Sequence, residues 1–397
     1  MNTSKSAVYS RTMKVLWQSM FLVSFPFGML SFALPIYGKE LGASALEIGW
    51  FFAAFSFIPV VVRPFLGPML DRWGRKIFLM VGFAGYLAAM ILFSIADSVM
   101  GLTLARFIQG MGQAFLWLAA FTIVADVATV TGRGRNFGLI DEAANKGALI
   151  GTTAGFSLFF FLQESQDMGW EQVWPLMFVA YTLASLLALG LSWRGVSETK
   201  PPEADTPIES RPFSPQLLSL MGIVFLTGAS SAMVWPMLTI FLQDKLSAGA
   251  GDLALAYLPA ALLSAFLPSR LGHVGDRLGR KPPMIAGLLV GALASLLIPF
   301  LGSLVFLAII WAIESVGYAA SVPAERAFVA DIAGEDMRGA SYGLYTFAFF
   351  LGAALGPLAG GWLYDNVSAE MPFYLNAIIL GIGALLVIVV LHESKPT

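Results

Sequence analysis

Cysteine is absent from this 397-residue chain, and histidine occurs only twice, at His273 and His392. These absences exclude disulfides, thiolate metal sites, a cysteine nucleophile and any multi-histidine metal centre. Charge is scarce as well: Asp, Glu, Lys and Arg make up 12% of the chain and hydrophobic residues 57%, where a soluble domain carries about 25% charged residues. So few charges cannot solvate the surface of a protein this size, and the main solvent is the lipid bilayer. The net charge is −2 and no basic patch of the nucleic-acid-binding kind occurs, so no nucleic-acid partner is expected. No Gly-x-x-x-x-Gly-Lys-Ser/Thr loop is present, which argues against transport driven by ATP on this chain. No metal and no cofactor is implied, and without a Cys or a His pair a membrane-embedded enzyme lacks its common catalytic parts.

What is present is a series of long apolar runs. A spanning helix needs about 20 mostly apolar residues. Twelve runs qualify: roughly 14–38, 46–69, 77–97, 99–126, 136–162, 172–193, 215–242, 251–274, 283–303, 304–331, 340–364 and 370–391. The first is too long for a signal-peptide core and no cleavage pattern follows it, so it is expected to be retained as a membrane helix. The one long polar break, Arg194 to Ser214, is rich in Pro, Glu, Thr and Ser and reads as a flexible linker. The expected organisation is a bundle over 1–193, a linker over 194–214 and a second bundle over 215–397. With the N-terminus inside, Arg72, Arg75, Lys76, Arg133, Arg135, Arg194, Lys200, Arg277, Arg280, Lys281 and Arg338 are cytoplasmic, and the outer loops hold only Lys39 and Lys245. The positive-inside rule then puts both termini and the linker in the cytoplasm.

The two halves repeat one another. Gly67-Pro-Met-Leu-Asp71-Arg72-Trp-Gly74-Arg75-Lys76 returns 205 residues later as Gly272-His-Val-Gly-Asp276-Arg277-Leu-Gly279-Arg280-Lys281. The same register pairs Gln109 with Glu314, Asp126 with Asp331, Arg133 with Arg338, Gly147 with Gly352, Gly151 with Gly356 and Gly155 with Gly360. Glycine at every fourth position lets helix backbones approach closely in lipid, where packing replaces the hydrophobic effect. Those two glycine faces serve either static packing or a moving interface.

Three stretches carry a resemblance. The repeated loop is the first. Arg106-Phe-Ile-Gln109-Gly110-Met-Gly112 on span 4 is the second. Gly352-Ala-Ala-Leu-Gly356-Pro357-Leu-Ala-Gly360-Gly361 on span 11 is the third; span 5 has Gly147-Ala-Leu-Ile-Gly151-Thr152-Thr153-Ala-Gly155 without the Gly-Pro pair. Together they resemble the major facilitator superfamily of secondary transporters over essentially the whole chain. The resemblance implies an all-α membrane protein with twelve transmembrane helices in two pseudo-symmetric six-helix bundles. It also implies a cytoplasmic gate at Asp71, Arg75 and Asp126, to which the repeat adds Asp276, Arg280 and Asp331. The alternative for these groups is that they only fix topology.

Differences between duplicated halves point to function. Span 5 carries Asp141, Glu142, Asn145 and Lys146 where span 11 has Thr346, Phe347, Phe350 and Leu351. An ionisable group at a bilayer centre costs about 2.5–3.5 kcal/mol on insertion scales and persists when paired or facing a wet cavity. Glu142 and Lys146, four apart with the acid first, share one helix face. Span 4 has Arg106 where span 10 has Trp311, and Glu314 stands near mid-depth of span 10. These groups, Asp141, Glu142, Lys146, Arg106 and Glu314, are the candidates for proton coupling, the cations tuning the acids. A permanently paired structural cluster is the alternative. Arg63 reads as a kink, an ion pair or part of the transport path, and Arg270 as a snorkelling end group.

Candidate cavity residues are Trp17, Phe21, Phe25, Gln109, Trp117, Trp235 and Trp311. Their aromatic character, and the adaptable surface of 17 methionines, fit an amphiphilic small-molecule substrate better than a free sugar. The resemblance implies a monomeric, proton-driven exporter of such compounds by alternating access in a bacterial inner or plasma membrane. An exporter of one metabolite such as a metallophore, lipid or glycolipid, or a facilitator without proton coupling, is the alternative.

Overall fold

The computed structural model describes residues 3–127, 133–200, 213–267, 271, 275, 277–333 and 338–393. Most of the linker, Arg270, His273 and Asp276 lie outside the described residues, as does the Asp71 side chain. The long elements among those described are helices, as expected where no water is available to satisfy a backbone group. In chain order they are α1 (Thr3–Val23), α2 (Pro26–Glu40), α3 (Ala45–Trp73), α4 (Arg75–Ile95), α5 (Val99–Val127), α6 (Arg133–Gln166), α7 (Trp170–Gly195), α8 (Pro215–Leu246), α9 (Ala250–Phe266), α10 (Lys281–Leu297), α11 (Leu304–Ala333), α12 (Arg338–Asn366) and α13 (Met371–Val389).

Ten segments are long and apolar enough to cross a membrane, counting Arg11–Glu40 as one. The other two expected spans are α6, which carries Asp141, Glu142 and Lys146, and the shorter apolar α9. The first span, Arg11–Glu40, carries a break at Ser24–Phe25, and α2 starts on Pro26. Proline has no N–H to give the preceding turn and suits the first helical position.

The chain divides into two compact units, one of Met1–Gly42 with Ala54–Pro207, the other of Ala43–Ala53 with Ile208–Thr397. In the first unit α4 lies along α5 and α7, and α1 along α6 and α7. Its core holds Leu16, Met20, Leu79, Phe83, Tyr86, Leu116, Ile123 and Ile140. The glycine face of α6 packs inside this unit: a Cβ on Gly147 would sit 2.1 Å from the Phe21 carbonyl oxygen, and one on Gly151 2.4 Å from Phe25 Cα.

In the second unit α8 lies along α12, α10 along α11 and α13, and α9 along α11. Gly356 and Gly360 approach α8 so closely that a Cβ would fall 2.1 Å from the Ala229 oxygen and 2.2 Å from the Met233 oxygen. Both glycine faces are therefore consumed by packing within their own units. Also within the second unit, the Asp365 carboxylate accepts the Ala45 and Leu46 N–H groups at 3.1 and 2.8 Å. A carboxylate is favoured at a helix N-terminus.

Candidate functional site

The loop between α3 and α4 is built on Gly74, whose φ of +98° suits a residue without a Cβ. Its turn lets Arg75 fold back. Arg75 Nε lies 3.0 Å from Asp126 Oδ2, the two side chains 8% and 15% exposed, and the Arg75 guanidinium also donates to the Leu70 carbonyl at 3.2 Å. α3, α4 and α5 are thereby tied at one end. A further residue completes the site. Glu198, just past α7, accepts the N–H groups of Arg75 and Lys76 at 2.9 and 3.0 Å, capping α4. It also accepts its neighbours Thr199 and Lys200 at 2.9 Å each. Burial pushes this carboxyl up, but the four backbone donors outweigh it and hold the group below its ordinary 4.5. Lys76 Nζ donates to the Trp193 carbonyl and Thr199 Oγ1 to Asp126.

The second unit repeats the arrangement. Gly279 has φ +91°. Arg280 Nε lies 2.9 Å from Asp331 Oδ2. Glu393 accepts the backbone N–H groups of Arg280 and Lys281, and Lys281 Nζ donates to the Leu391 carbonyl at 2.6 Å. Sequence reading at the 205-residue register missed the two capping acids, because Glu198 and Glu393 are 195 residues apart. The signal was available: Glu198-Thr-Lys-Pro recurs as Glu393-Ser-Lys-Pro.

Inside the first unit, Arg106 is 6% exposed. It donates to Gln109 Oε1 at 2.8 Å and stands 4.9 Å over the centre of the Phe55 ring, a favourable placing for a guanidinium. Gln109, expected on a cavity wall, is instead 1% exposed and engaged with Arg106. Trp17 stacks on Phe21 at 5.4 Å, and Phe21 meets Phe25 edge-on at 5.1 Å, all three partly open. Trp117 lies against Phe121. On α6, Lys146 pairs with Glu142, the side chains 54% and 46% exposed, while Asp141 is half-buried. Glu142 and Lys146 are thus paired with each other on α6, and Arg106 with Gln109 on α5. A hydrogen bond unnoticed in the sequence runs from Tyr86 Oη to Gln113 Oε1 at 2.8 Å.

Inside the second unit, Glu314 is half-buried on α11. Tyr257 of α9 touches two of the expected cavity residues edge-on, Trp311 at 5.4 Å and Trp235 at 6.1 Å. Trp311 is 4% exposed and so packed rather than open. Two polar links, one part-buried and one buried, went unread in the sequence. Tyr345 Oη donates to Glu325 Oε1 at 2.7 Å. Asn376 accepts Ser230 Oγ at 2.5 Å and donates to Ser295 Oγ at 2.6 Å. Among the described residues no group of three or more His, Asp or Glu is placed to hold a metal ion.

Residues 16–222 and 220–397 match the family model described as Major Facilitator Superfamily. The chain belongs to the Major Facilitator Superfamily. It is therefore a multi-pass membrane transporter rather than an enzyme. Within the superfamily it is 25% identical to multidrug resistance protein 1 of Bacillus subtilis (strain 168) over 384 residues, 95% of each chain. It is 24% identical to the quinolone resistance protein NorA of Staphylococcus aureus over 391 residues, 96% of each. Superfamily members of known structure share the fold. The human organic anion transporter MFSD10 (TETRAN) superposes with TM-score 0.69 at 18% identity, covering 96% of this chain and 99% of that one. A bacterial homologue of the human lysosomal transporter Spinster, inward-facing and occupied, gives 0.73 at 15% identity, covering 98% and 97%.

Proposed function

We propose that the protein is a proton-coupled exporter of amphiphilic small molecules, drugs among them, working as a monomer by alternating access in a bacterial plasma membrane with both termini cytoplasmic. One observation carries the reading: the match to two drug-resistance proteins runs nearly the length of all three chains. Within this chain, Glu314 is a carboxyl well inside the spanning helix α11. Glu314 is the proposed proton carrier. Proton uptake from one side and release to the other then drives cargo the opposite way. Arg75–Asp126 and Arg280–Asp331 are proposed as cytoplasmic gate pairs, and Asp71 and Asp276 are proposed as members of the same gates. Asp141 and the Glu142–Lys146 pair are proposed as helpers to coupling.

The test is transport by purified protein in proteoliposomes of known orientation under an imposed pH gradient, with a panel of lipophilic dyes, lipids and metallophores. Dye movement driven by the gradient and lost in Glu314→Gln supports the reading. Equal movement with and without a gradient identifies a facilitator and overturns it. Movement of one metallophore or lipid alone replaces the substrate class.

A further inference from the structure

Glu325 has no role in the coupling scheme above, yet it is a carboxyl within α11, near the end of the span Leu304–Val329. Its surroundings are specific. Tyr345 of α12 donates to its Oε1 at 2.7 Å, and on its own helix Arg326 and Tyr318 lie within electrostatic reach. The corresponding residues of the first unit, 205 positions earlier, are Ala120 and Ile140, both fully buried and apolar. The fold therefore does not need a hydrogen-bonded acid at this helix contact.

The position of Glu325 relative to Glu314 is the second observation. They are eleven residues apart on α11, about three turns and roughly 16 Å, which returns to the same helix face. Tyr318 and Ser321 fall on that face between them. At these positions the first unit has Gln109, Gln113, Leu116 and Ala120, with nothing that titrates. Tyr318 is 61% exposed, so the stripe is open there rather than packed. The exposed apolar side chains Val305, Phe306, Ile309, Ile313 and Val316 of α11 lie about 80–180° from Glu314 round the helix. A carboxyl persists in a spanning helix when it is paired or faces a wet cavity, so the Glu314–Glu325 stripe is taken as the wet side of α11. Pro323, within the helix, has no N–H to give the Ala319 carbonyl, which leaves an acceptor for water between Tyr318 and Glu325.

We infer that Glu325 is a second proton-binding site, linking Glu314 to the cytoplasmic end of α11 through Tyr318 and water. The inference rests on the proposed role of Glu314. The transfer balances: an O–H bond of protonated Glu314 breaks, each water or hydroxyl on the way gives up one proton as it accepts another, and an O–H bond forms at Glu325 Oε2. Tyr345, bonded to Oε1, orients the carboxyl. The titratable and charged groups facing the path are Tyr257 from α9, Tyr318 and Arg326 from α11, and Tyr345 from α12. From α10, Gly287 lies so close to Ser321 that a Cβ there would be 2.5 Å from the serine Cβ.

The test uses full-length protein in lipid nanodiscs and proteoliposomes. Infrared difference spectra between alkaline and acid pH read protonated carboxyls without any cargo. Wild type is expected to show bands for both acids, Glu314→Gln to lose one, Glu325→Gln to lose the other, and Tyr345→Phe to shift the midpoint of the Glu325 band. Glutamine still accepts the Tyr345 hydrogen bond, so a purely structural role predicts a Glu325→Gln protein with normal thermal stability and normal proton flux. The relay predicts normal stability with pH-gradient-driven ethidium transport reduced about tenfold or more, the scale of a lost proton-transfer group, and ethidium exchange without a gradient retained. A Glu325→Gln spectrum identical to wild type, or unimpaired gradient-driven transport in that variant, overturns the relay and leaves Glu314 standing. An unchanged Glu314→Gln spectrum, or a wild type indifferent to the gradient, overturns the coupling role and the relay with it.

Discussion

Arg75 Nε and Asp126 Oδ2 meet at 3.0 Å with both side chains largely withdrawn from solvent, and Arg280 repeats the contact with Asp331 at 2.9 Å. Removing one member of a buried pair strands the other. Arg75→Ala is therefore expected to cost about 3 kcal/mol and to shorten the half-life of the detergent-solubilised protein at fixed temperature. Arg75→Lys keeps the charge but loses the fork that serves both Asp126 and the Leu70 carbonyl, so it rescues only in part. The more exposed Asp331, 31% against 15%, predicts a smaller loss for Arg280→Ala. Equal losses in the two variants would contradict this ranking.

Glu198 gives the first unit a pH dependence with a defined sign. Its folded-state pKa lies below the ordinary 4.5, so its contribution is complete above about pH 4.5 and fades as pH falls through the folded value. Glu198→Gln should lower stability at neutral pH and flatten the wild-type decline on acidification. Thermal scans across that range check it, and parallel wild-type and variant curves would remove Glu198 from the account.

Gly74 tests the turn that makes this cap possible. A Cβ there would stand 2.5 Å from Glu198 Oε2 in a backbone conformation, φ +98°, that side chains rarely adopt. Gly74→Ala is expected to destabilise by about 1–3 kcal/mol. Gly381, a helical glycine with open space around its Cβ position, is the control. Gly381→Ala should be neutral or stabilising by up to about 1 kcal/mol.

Asn376 joins α8, α10 and α13 through Ser230 and Ser295, and all three residues are buried. Asn376→Ala leaves two buried hydroxyls short of a partner, at a cost of about 1–3 kcal/mol. Asn376→Ala combined with Ser230→Ala and Ser295→Ala should recover part of that loss. The comparison of unfolding midpoints decides whether the link is a network or three independent groups.

The register of 205 residues made the Arg75–Asp126 and Arg280–Asp331 pairings legible before any coordinates, because each partner recurs at the same spacing. It hid Glu198 and Glu393, since the second copy reaches its capping acid ten residues sooner. Glu325 escaped for another reason. It stands beside Arg326 near the end of a span, where a charge pair reads as an interfacial end group, and only the fold brings Tyr345 onto it.

The sequence by itself determined a twelve-span helical membrane protein made of a repeated half, because hydropathy over 20 residues and a fixed register are properties of the chain alone. Tertiary structure decided which side chains are open and which are packed. Gln109 and Trp311 are buried while Glu142 and Lys146 are exposed, and Pro26 divides the first span. A helix face acquires its meaning from the neighbour set against it, and residues scores of positions apart in the chain supply that neighbour.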